Sequence, residues 1–340
     1  MKTENKSRSR RKTPWDTLTV LTPSQVFLYS LTNALYNSHH KQLSETGEAE
    51  LINSYQPECC PRCSSIHFKK NGFDRSGIRS YYCLDCKKRF NVLTGTIFEN
   101  HKISIFEWVE YWRNLFQYES LNANSWNLRN AFTTAKYWFL KTALILKDVQ
   151  KKTVLSGTIY YDETYIALRE EDLQLHEDGK KFRGHSKNQM CIAVAIDESH
   201  VYAKFICYGN PTQEIVYEAL KDHIVPGSTL ITDKDPAHRK LVKELHLQNK
   251  EYNSKECKQM NDKDNPLTPI NHVHSLLQKF LRAHSGFNRD ELQDYLNIFS
   301  VIYNPPESKL EKIDLLLNKA IASHQTLTYR DAFDEDISKF

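Results

Sequence analysis

The chain has 340 residues and 39.8 kDa, a length for about two to three domains, and its 40% apolar and 26% charged residues exclude both wholesale disorder and a fibrous repeat. Its longest apolar stretches, such as Phe139 to Leu146, are broken by Lys141 and fall short of the ~20 residues of a membrane span. The net charge of +4 is unevenly spread: residues 1–150 hold 21 Lys and Arg against 13 Asp and Glu, the remainder 25 against 29. A basic half joined to a mildly acidic one fits a nucleic-acid anchor attached to a catalytic or assembly domain; a merely solvated surface is the alternative.

Residues 1–54 read as a basic arm and helical lead-in. Lys2, Lys6, Arg8, Arg10, Arg11 and Lys12 have no apolar run behind them, so no secretory signal is expected and the protein should stay in the cytoplasm.

Residues 55–100 carry the sharpest signal. Cys60-Pro-Arg-Cys63 and Cys83-Leu-Asp-Cys86 are two knuckles separated by 19 residues, the pattern of a zinc ribbon in which four thiolates meet one tetrahedral Zn²⁺. Cys59 is a spare, and Cys191, Cys207 and Cys257 read as small packed hydrophobes. Short strands are expected at Ile66–Lys70 and Ser80–Tyr82, with turns at Asn71-Gly72 and Ser76-Gly77. Between Cys60 and Phe90 stand Arg62, Lys69, Lys70, Arg75, Arg79, Lys87, Lys88 and Arg89, against Asp74 and Asp85 alone. A ribbon this basic should hold phosphates; a purely structural knuckle is the alternative.

Residues 101–152 read as a helical DNA-binding segment. Ser104-x-x-Glu107 has the form of a capping box before Ile105, Trp108, Val109, Trp112 and Phe116, and a second helix is expected from Thr133 to Leu146. A short helix within Ser120–Asn130 would complete a helix-turn-helix-like arrangement, although helices this aromatic are equally well ordinary core.

Residues 153–305 read as an α/β domain. Strands are expected at Thr158–Ile166, Met190–Ile196, Val201–Cys207 and Ser228–Thr232, with helices at Gln213–His223, Ala237–Leu245, Ile270–His284 and Glu291–Tyr303. Asp162 lies inside the first strand and Asp233 just past the fourth, where open α/β sheets place ligands. If those strands are neighbours, the two carboxylates meet and can share divalent cations for phosphodiester chemistry. Taken singly, each Asp is as well explained as a strand-end or capping residue. Glu163 should point to the opposite face. Thr268 is the expected N-cap of a helix with Pro269 at its first position. Its polar stripe holds Asn271, His274, Ser275, Gln278 and Arg282, opposite Val273, Leu276, Leu277, Phe280 and Leu281. The histidines His238, His272, His274 and His284 match no metal-ligand spacing. Residues 306–340 read as a terminal helix and tail.

The ordered set of basic ribbon, Leu93-Thr-Gly-Thr-Ile-Phe98, helical segment, Gly157-Thr-Ile-Tyr-Tyr-Asp-Glu-Thr-Tyr165, Arg183-Gly184, Thr232-Asp233 with His238, and Ile270-Asn271 through Tyr295-Leu-Asn297 resembles the zinc-ribbon transposases of bacterial insertion sequences, insertion-sequence family fifteen-ninety-five, over about residues 55–305. The resemblance implies an RNase H-like core and Mg²⁺-dependent cutting and joining of double-stranded DNA at terminal inverted repeats, in a nucleoid-associated protein. It makes Asp162 and Asp233 the first two catalytic residues and puts the third position on Asn271, where the family shows asparagine as well as glutamate. The basic residue expected seven positions later is Gln278 here, with Lys279 adjacent and in reach of a DNA phosphate. Arg62, Lys69, Lys70, Arg79, Lys87, Lys88, Arg89, Arg183 and Lys279 are the expected DNA contacts. Joining two ends needs at least two active sites, so a homo-oligomer on DNA is expected. The rival reading is a zinc-ribbon DNA-binding regulator that has lost the cutting activity.

Overall fold

A computed structural model describes residues 21–39, 47–100, 104–182, 184 and 186–333. The basic arm before residue 21, Arg183 and residues 334–340 lie outside the described residues. Two compact units are present, one of Met1–Ile145 with Lys309–Phe340 and one of Leu146–Ser308.

The first unit opens with helices α1 (Pro23–His39) and α2 (Glu48–Ser54), followed by an antiparallel sheet of β1 (Phe68–Phe73), β2 (Arg79–Cys83) and β3 (Arg89–Phe90). Phe68, Tyr81 and Phe90 pack on one face of that sheet with ring centroids 5.4–5.6 Å apart. Asn71-Gly72 is not the turn that the sequence suggests. Pairing shifts between Lys70 and Phe73, and Gly72 sits there at φ 74° inside β1, which is a bulge rather than a reversal. The reversal is at Asp74–Ile78, where the Asp74 carboxylate accepts from the amides of Ser76 and Ile78.

Helices α3 (Ile105–Phe116), α4 (Leu121–Asn127) and α5 (Phe132–Leu146) follow, so the polar linker does hold a short helix. Ser104 caps α3 by accepting from the Phe106 amide, and a carboxylate from outside the box, Glu48 on α2, accepts from the same amide at 2.9 Å and bonds the Ser104 hydroxyl. The aromatic stripes of α3 and α5 face each other: Trp108 stacks on Trp138 at 4.4 Å, and the Trp112 indole donates to Thr142 at 3.0 Å. Those rings are core, as their burial requires.

The second unit contains β4 (Thr158–Ala167), β5 (Gln189–Ile196), β6 (Val201–Tyr208), α6 (Gln213–Leu220), β7 (Thr229–Asp233), α7 (Arg239–Glu244), β8 (Gln248–Tyr252), α8 (Ser254–Cys257), α9 (Thr268–Ala283) and α10 (Leu292–Tyr303). The sheet order is β6-β5-β4-β7-β8, with β4–β5 and β5–β6 antiparallel and β4–β7 and β7–β8 parallel. Counted from its own first strand, the order is third, second, first, fourth, fifth. That is the RNase H-like arrangement. One face buries Ile159, Tyr161, Ala193 and Ala195 against Val216, Leu220 and Leu241 of α6 and α7. Helix α9 packs on β4 and β5, and α10 on β6.

Strand β8 escapes a reading of hydrophobic pattern because its residues, Gln-Asn-Lys-Glu-Tyr, are polar and it borders the sheet. The other border, β6, is closed by side-chain amides. Asn304 accepts from the Val201 amide at 2.6 Å and donates to the Val201 carbonyl at 3.0 Å. Gln150 does the same at Ala203, both at 2.8 Å, and Gln293 accepts from the Phe205 amide at 3.0 Å. Alternate residues of an edge strand point their backbone groups outward, and here those groups find amide partners in place of a sixth strand.

Thr268 is the first residue of α9 rather than its cap. Leu267 holds the N-cap position, and the Thr268 hydroxyl donates to the Asp262 carbonyl. Finally α11 (Lys309–Ala322) and α12 (Tyr329–Phe333) return to the first unit, where α11 packs on α3 and Tyr137 of α5 meets Tyr329 at 5.4 Å.

Candidate active site and thiolate centre

In the ribbon, Cys60, Cys63, Cys83 and Cys86 bring their sulfurs within 4.8 Å of one another, and among the described residues this is the one set of three or more ligand side chains gathered so tightly. The Cys63–Cys83 and Cys60–Cys86 sulfurs are 3.6 Å and 3.8 Å apart. Burial works against ionising Cys83, yet the amides of Cys86 and Asp85 outweigh it and bring that thiol down to about 6. Four converging thiols, one already inclined to be a thiolate, are the donor set of a structural Zn²⁺.

Beside them the register of the sheet lines up Lys69, Tyr82 and Arg89 in one row across β1, β2 and β3. Lys69, Lys70, Lys87, Lys88 and Arg89 are exposed. Arg62 pairs with Glu99 at 3.3 Å, and the Arg79 guanidinium lies 3.9 Å from the centre of the Phe73 ring, so these two are already engaged within the ribbon.

In the second unit the parallel pairing of β4 with β7 sets Tyr160 opposite Ile231, so Asp162 and Asp233, each two residues further on, stand at the same height on neighbouring strands. Burial pushes the Asp162 carboxyl up to about 7, and the charges of Asp233, Glu163 and Asp235 push the same way. Asp162 accepts from the Glu163 amide at 2.9 Å; Asp233 accepts from the Asp235 amide at 3.0 Å; and Asp235, not Asp233, caps the helical turn that follows. Glu163 does lie on the other face, where the Tyr161 hydroxyl donates to it at 2.5 Å and burial lifts it to about 7. The loop after Asp233 is anchored by buried His238, whose Nε2 lies 3.0 Å from the Thr232 hydroxyl and 3.3 Å from the Glu251 carboxylate on β8.

Helix α9 supplies the third side of the site. His274 places Nδ1 3.7 Å from Asp162 Oδ2, its Nε2 is buried without a hydrogen-bond partner, and burial lowers its pKa to about 4, so the ring is neutral. Asn271 stands exposed one turn earlier. Gln278 turns inward and donates to Thr164 at 3.3 Å, tying α9 to β4, while Lys279 is exposed. Of the polar stripe read from the sequence, His274 stands beside Asp162 and Gln278 beside Thr164. Spacing gave no sign of His274, since its neighbour in space is 112 residues away in the chain.

Residues 154–302 match the family of ISXO2-like transposase domains. Over those residues, 149 of the chain's 340, the core is similar to an ISXO2-like transposase domain. The chain also resembles an uncharacterized protein in transposable element ISH50 of Halobacterium salinarum, with 23% identity over 251 residues, 71% of this chain and 84% of that protein. Among solved structures it is similar to the Mos1 strand transfer complex (12% identity, 65% of this chain and 78% of that one, TM-score 0.29). A second is the Drosophila P element transposase strand transfer complex (11% identity, 62% and 63%, TM-score 0.24). The RNase H-like fold of this core rests on its strand order and directions, not on these superpositions. Among its described residues no helix is long and apolar enough to cross a membrane.

Proposed function

We propose that this transposase binds the terminal inverted repeats of an insertion sequence, cuts one strand at each end and joins the freed 3′-hydroxyl to target DNA, with Asp162 and Asp233 as the central carboxylates. The observation that carries the proposal is the cluster of Asp162, Asp233 and Asp235, with Glu163 behind, in which Asp162 is held near neutrality by burial and like charge. Such a cluster is unfavourable as it stands and becomes favourable with divalent cations, so the residues fit the Mg²⁺ expected from the sequence. Asp162 and Asp233 would hold the cations, which when bound activate an attacking hydroxyl and stabilise the leaving oxygen of a phosphodiester.

The protein's own groups do the rest. The Glu163 amide orients one oxygen of Asp162, and the Asp235 amide orients one of Asp233, so each keeps its second oxygen for the substrate side. His274, neutral and packed beside Asp162, adds no charge and presents nitrogen where the family shows asparagine or glutamate a turn earlier. Asn271, exposed at the helix start one turn before His274, is assigned to the scissile strand beside the carboxylates. The Zn²⁺ ribbon, through Lys69, Lys70, Lys87, Lys88 and Arg89, and the α3–α5 segment are assigned to the inverted repeats, with Arg62, Arg79 and Lys279 as further contacts. Double-stranded DNA and a second copy of the chain are the partners this reaction needs, since two ends require two sites.

The test is incubation of purified protein with labelled DNA from the flanks of its own gene, with Mg²⁺ or EDTA, beside Asp162→Ala. Metal-dependent nicking at a flank end, lost in the variant, supports the proposal. Tight binding without any cut would leave a DNA-binding regulator instead.

A further inference from the structure

Two residues beyond Asp162 on the same face of β4, about 7 Å along the strand, a cavity of 270 Å³ opens between β4, β5 and the C-terminal half of α9. Its walls divide by chemistry. Ile166, Ile192 and Leu281 give an apolar surface, and Thr164, Gln278 and Arg282 give a polar edge. That edge is loosely self-satisfied: Arg282 donates to Gln278 Oε1 at 3.5 Å and the Gln278 side-chain amide donates to the Thr164 hydroxyl at 3.3 Å, both at the long end for hydrogen bonds. Such bonds are easily exchanged for those of a ligand.

We infer that this cavity receives a single unstacked nucleobase of the DNA, from the nucleotide next to the phosphodiester being cut or joined. The inference rests on the proposed function, which supplies the DNA. The cavity has room for one base, and aliphatic walls with an amide and a guanidinium at the rim suit a base's faces and its hydrogen-bonding edge. Its distance from Asp162 is that between a phosphate and its own nucleobase, so a strand held with its phosphate at the carboxylates delivers a neighbouring base to the cavity mouth. A base stacked in duplex cannot enter. Unpairing at the end of the element is therefore part of forming the complex, and the polar edge made by Gln278 and Arg282 is what holds the displaced base. The base comes either from the cut strand or from the target strand, and the substrates below separate the two.

Ser285, which also lines the cavity and is exposed, permits a plug that does not disturb the core. Ser285→Trp and, independently, Arg282→Ala are compared with wild type in nicking and in joining, on DNA with an intact base or an abasic nucleotide at each of the positions flanking the cut. A second readout is 2-aminopurine fluorescence at those positions on binding to Asp162→Ala protein, which needs no cleavage. The expected result is a loss of tenfold or more for both variants on intact DNA, abolished for Ser285→Trp by one abasic substitution. That position is also where 2-aminopurine emission changes. Rescue confined to the nicking step assigns the cut strand; rescue confined to joining assigns the target. Variants that nick and join as wild type does, or a Ser285→Trp defect equal on every substrate, overturn the inference while wild-type cleavage leaves the proposed function standing. Wild-type protein that neither binds nor nicks the ends removes both.

Discussion

His274 Nδ1 lies 3.7 Å from Asp162 Oδ2, and this pair fixes how helix α9 meets strand β4 at the carboxylates. A neutral, largely buried imidazole against a half-buried carboxylate is a different environment from the amide or carboxylate expected at the start of the same helix, and it separates the contributions of His274 and Asn271.

Replacing His274 with Ala is expected to slow end-nicking by about 100-fold or more, whereas Asn271→Ala costs less than about tenfold, because His274 packs against Asp162 while Asn271 is exposed. An imidazole nitrogen suits Mn²⁺ better than it suits the strictly oxygen-seeking Mg²⁺. Mn²⁺ should therefore support the faster reaction in the wild type, and His274→Glu should narrow the difference. Rates with each cation, read beside Mn²⁺ affinity by electron paramagnetic resonance, check both statements. Equal losses for His274→Ala and Asn271→Ala would reinstate Asn271 as the third member.

The raised pKa of Asp162 has a signed consequence for stability. Its carboxyl titrates at about 7 in the folded chain and near 3.8 when exposed, so the native state holds the extra proton and stability falls as pH rises from about 4 to about 7. In EDTA, Asp162→Asn is expected to flatten that slope and to be more stable than wild type at pH 8 by about 1–2 kcal/mol. Added Mg²⁺ or Mn²⁺ should raise the melting temperature of wild type and not of the variant. Thermal melts across this pH range, with and without cation, give the answer.

The four-cysteine ribbon should carry one zinc per chain. Cys63→Ser or Cys83→Ser is expected to lose it, together with binding to the inverted repeats, while Cys59→Ser keeps both, since Cys59 is not among the four gathered sulfurs. Metal analysis of purified variants and a mobility-shift titration measure the two effects. Lys69→Gln with Arg89→Gln, which lie in one exposed row, should weaken binding without zinc loss and lower its salt dependence by about two counterions.

Gln150 mimics a neighbouring strand for β6 through its amide, and it also donates to Asn297 at 2.8 Å. Gln150→Leu leaves the Ala203 amide and carbonyl partly unpaired in a buried place, and a loss of about 2–3 kcal/mol in unfolding free energy is expected. Denaturant titration with an unchanged slope would confirm a stability effect on an otherwise intact fold.

Local chemistry already determined much of this protein. The two thiol knuckles, the short apolar runs of β4 through β7, the amphipathic stripe of α9 and the basic half of the chain are legible because each depends on residues close together in sequence, through fixed ligand spacing, local composition or the period of a helix. Where the sequence misled, the cause was also local. Asn71-Gly72 has turn chemistry but spends it on a bulge, and Gln-Asn-Lys-Glu-Tyr hides a strand because an edge does not demand apolar residues. Only the tertiary structure decided which distant groups share a space: that His274 stands beside Asp162, that Glu48 joins Ser104 at the Phe106 amide, and that Gln150, Gln293 and Asn304 close the sheet. Those pairings follow from sheet register and helix docking, where a shift of one residue reverses a face, and no period along the chain encodes them.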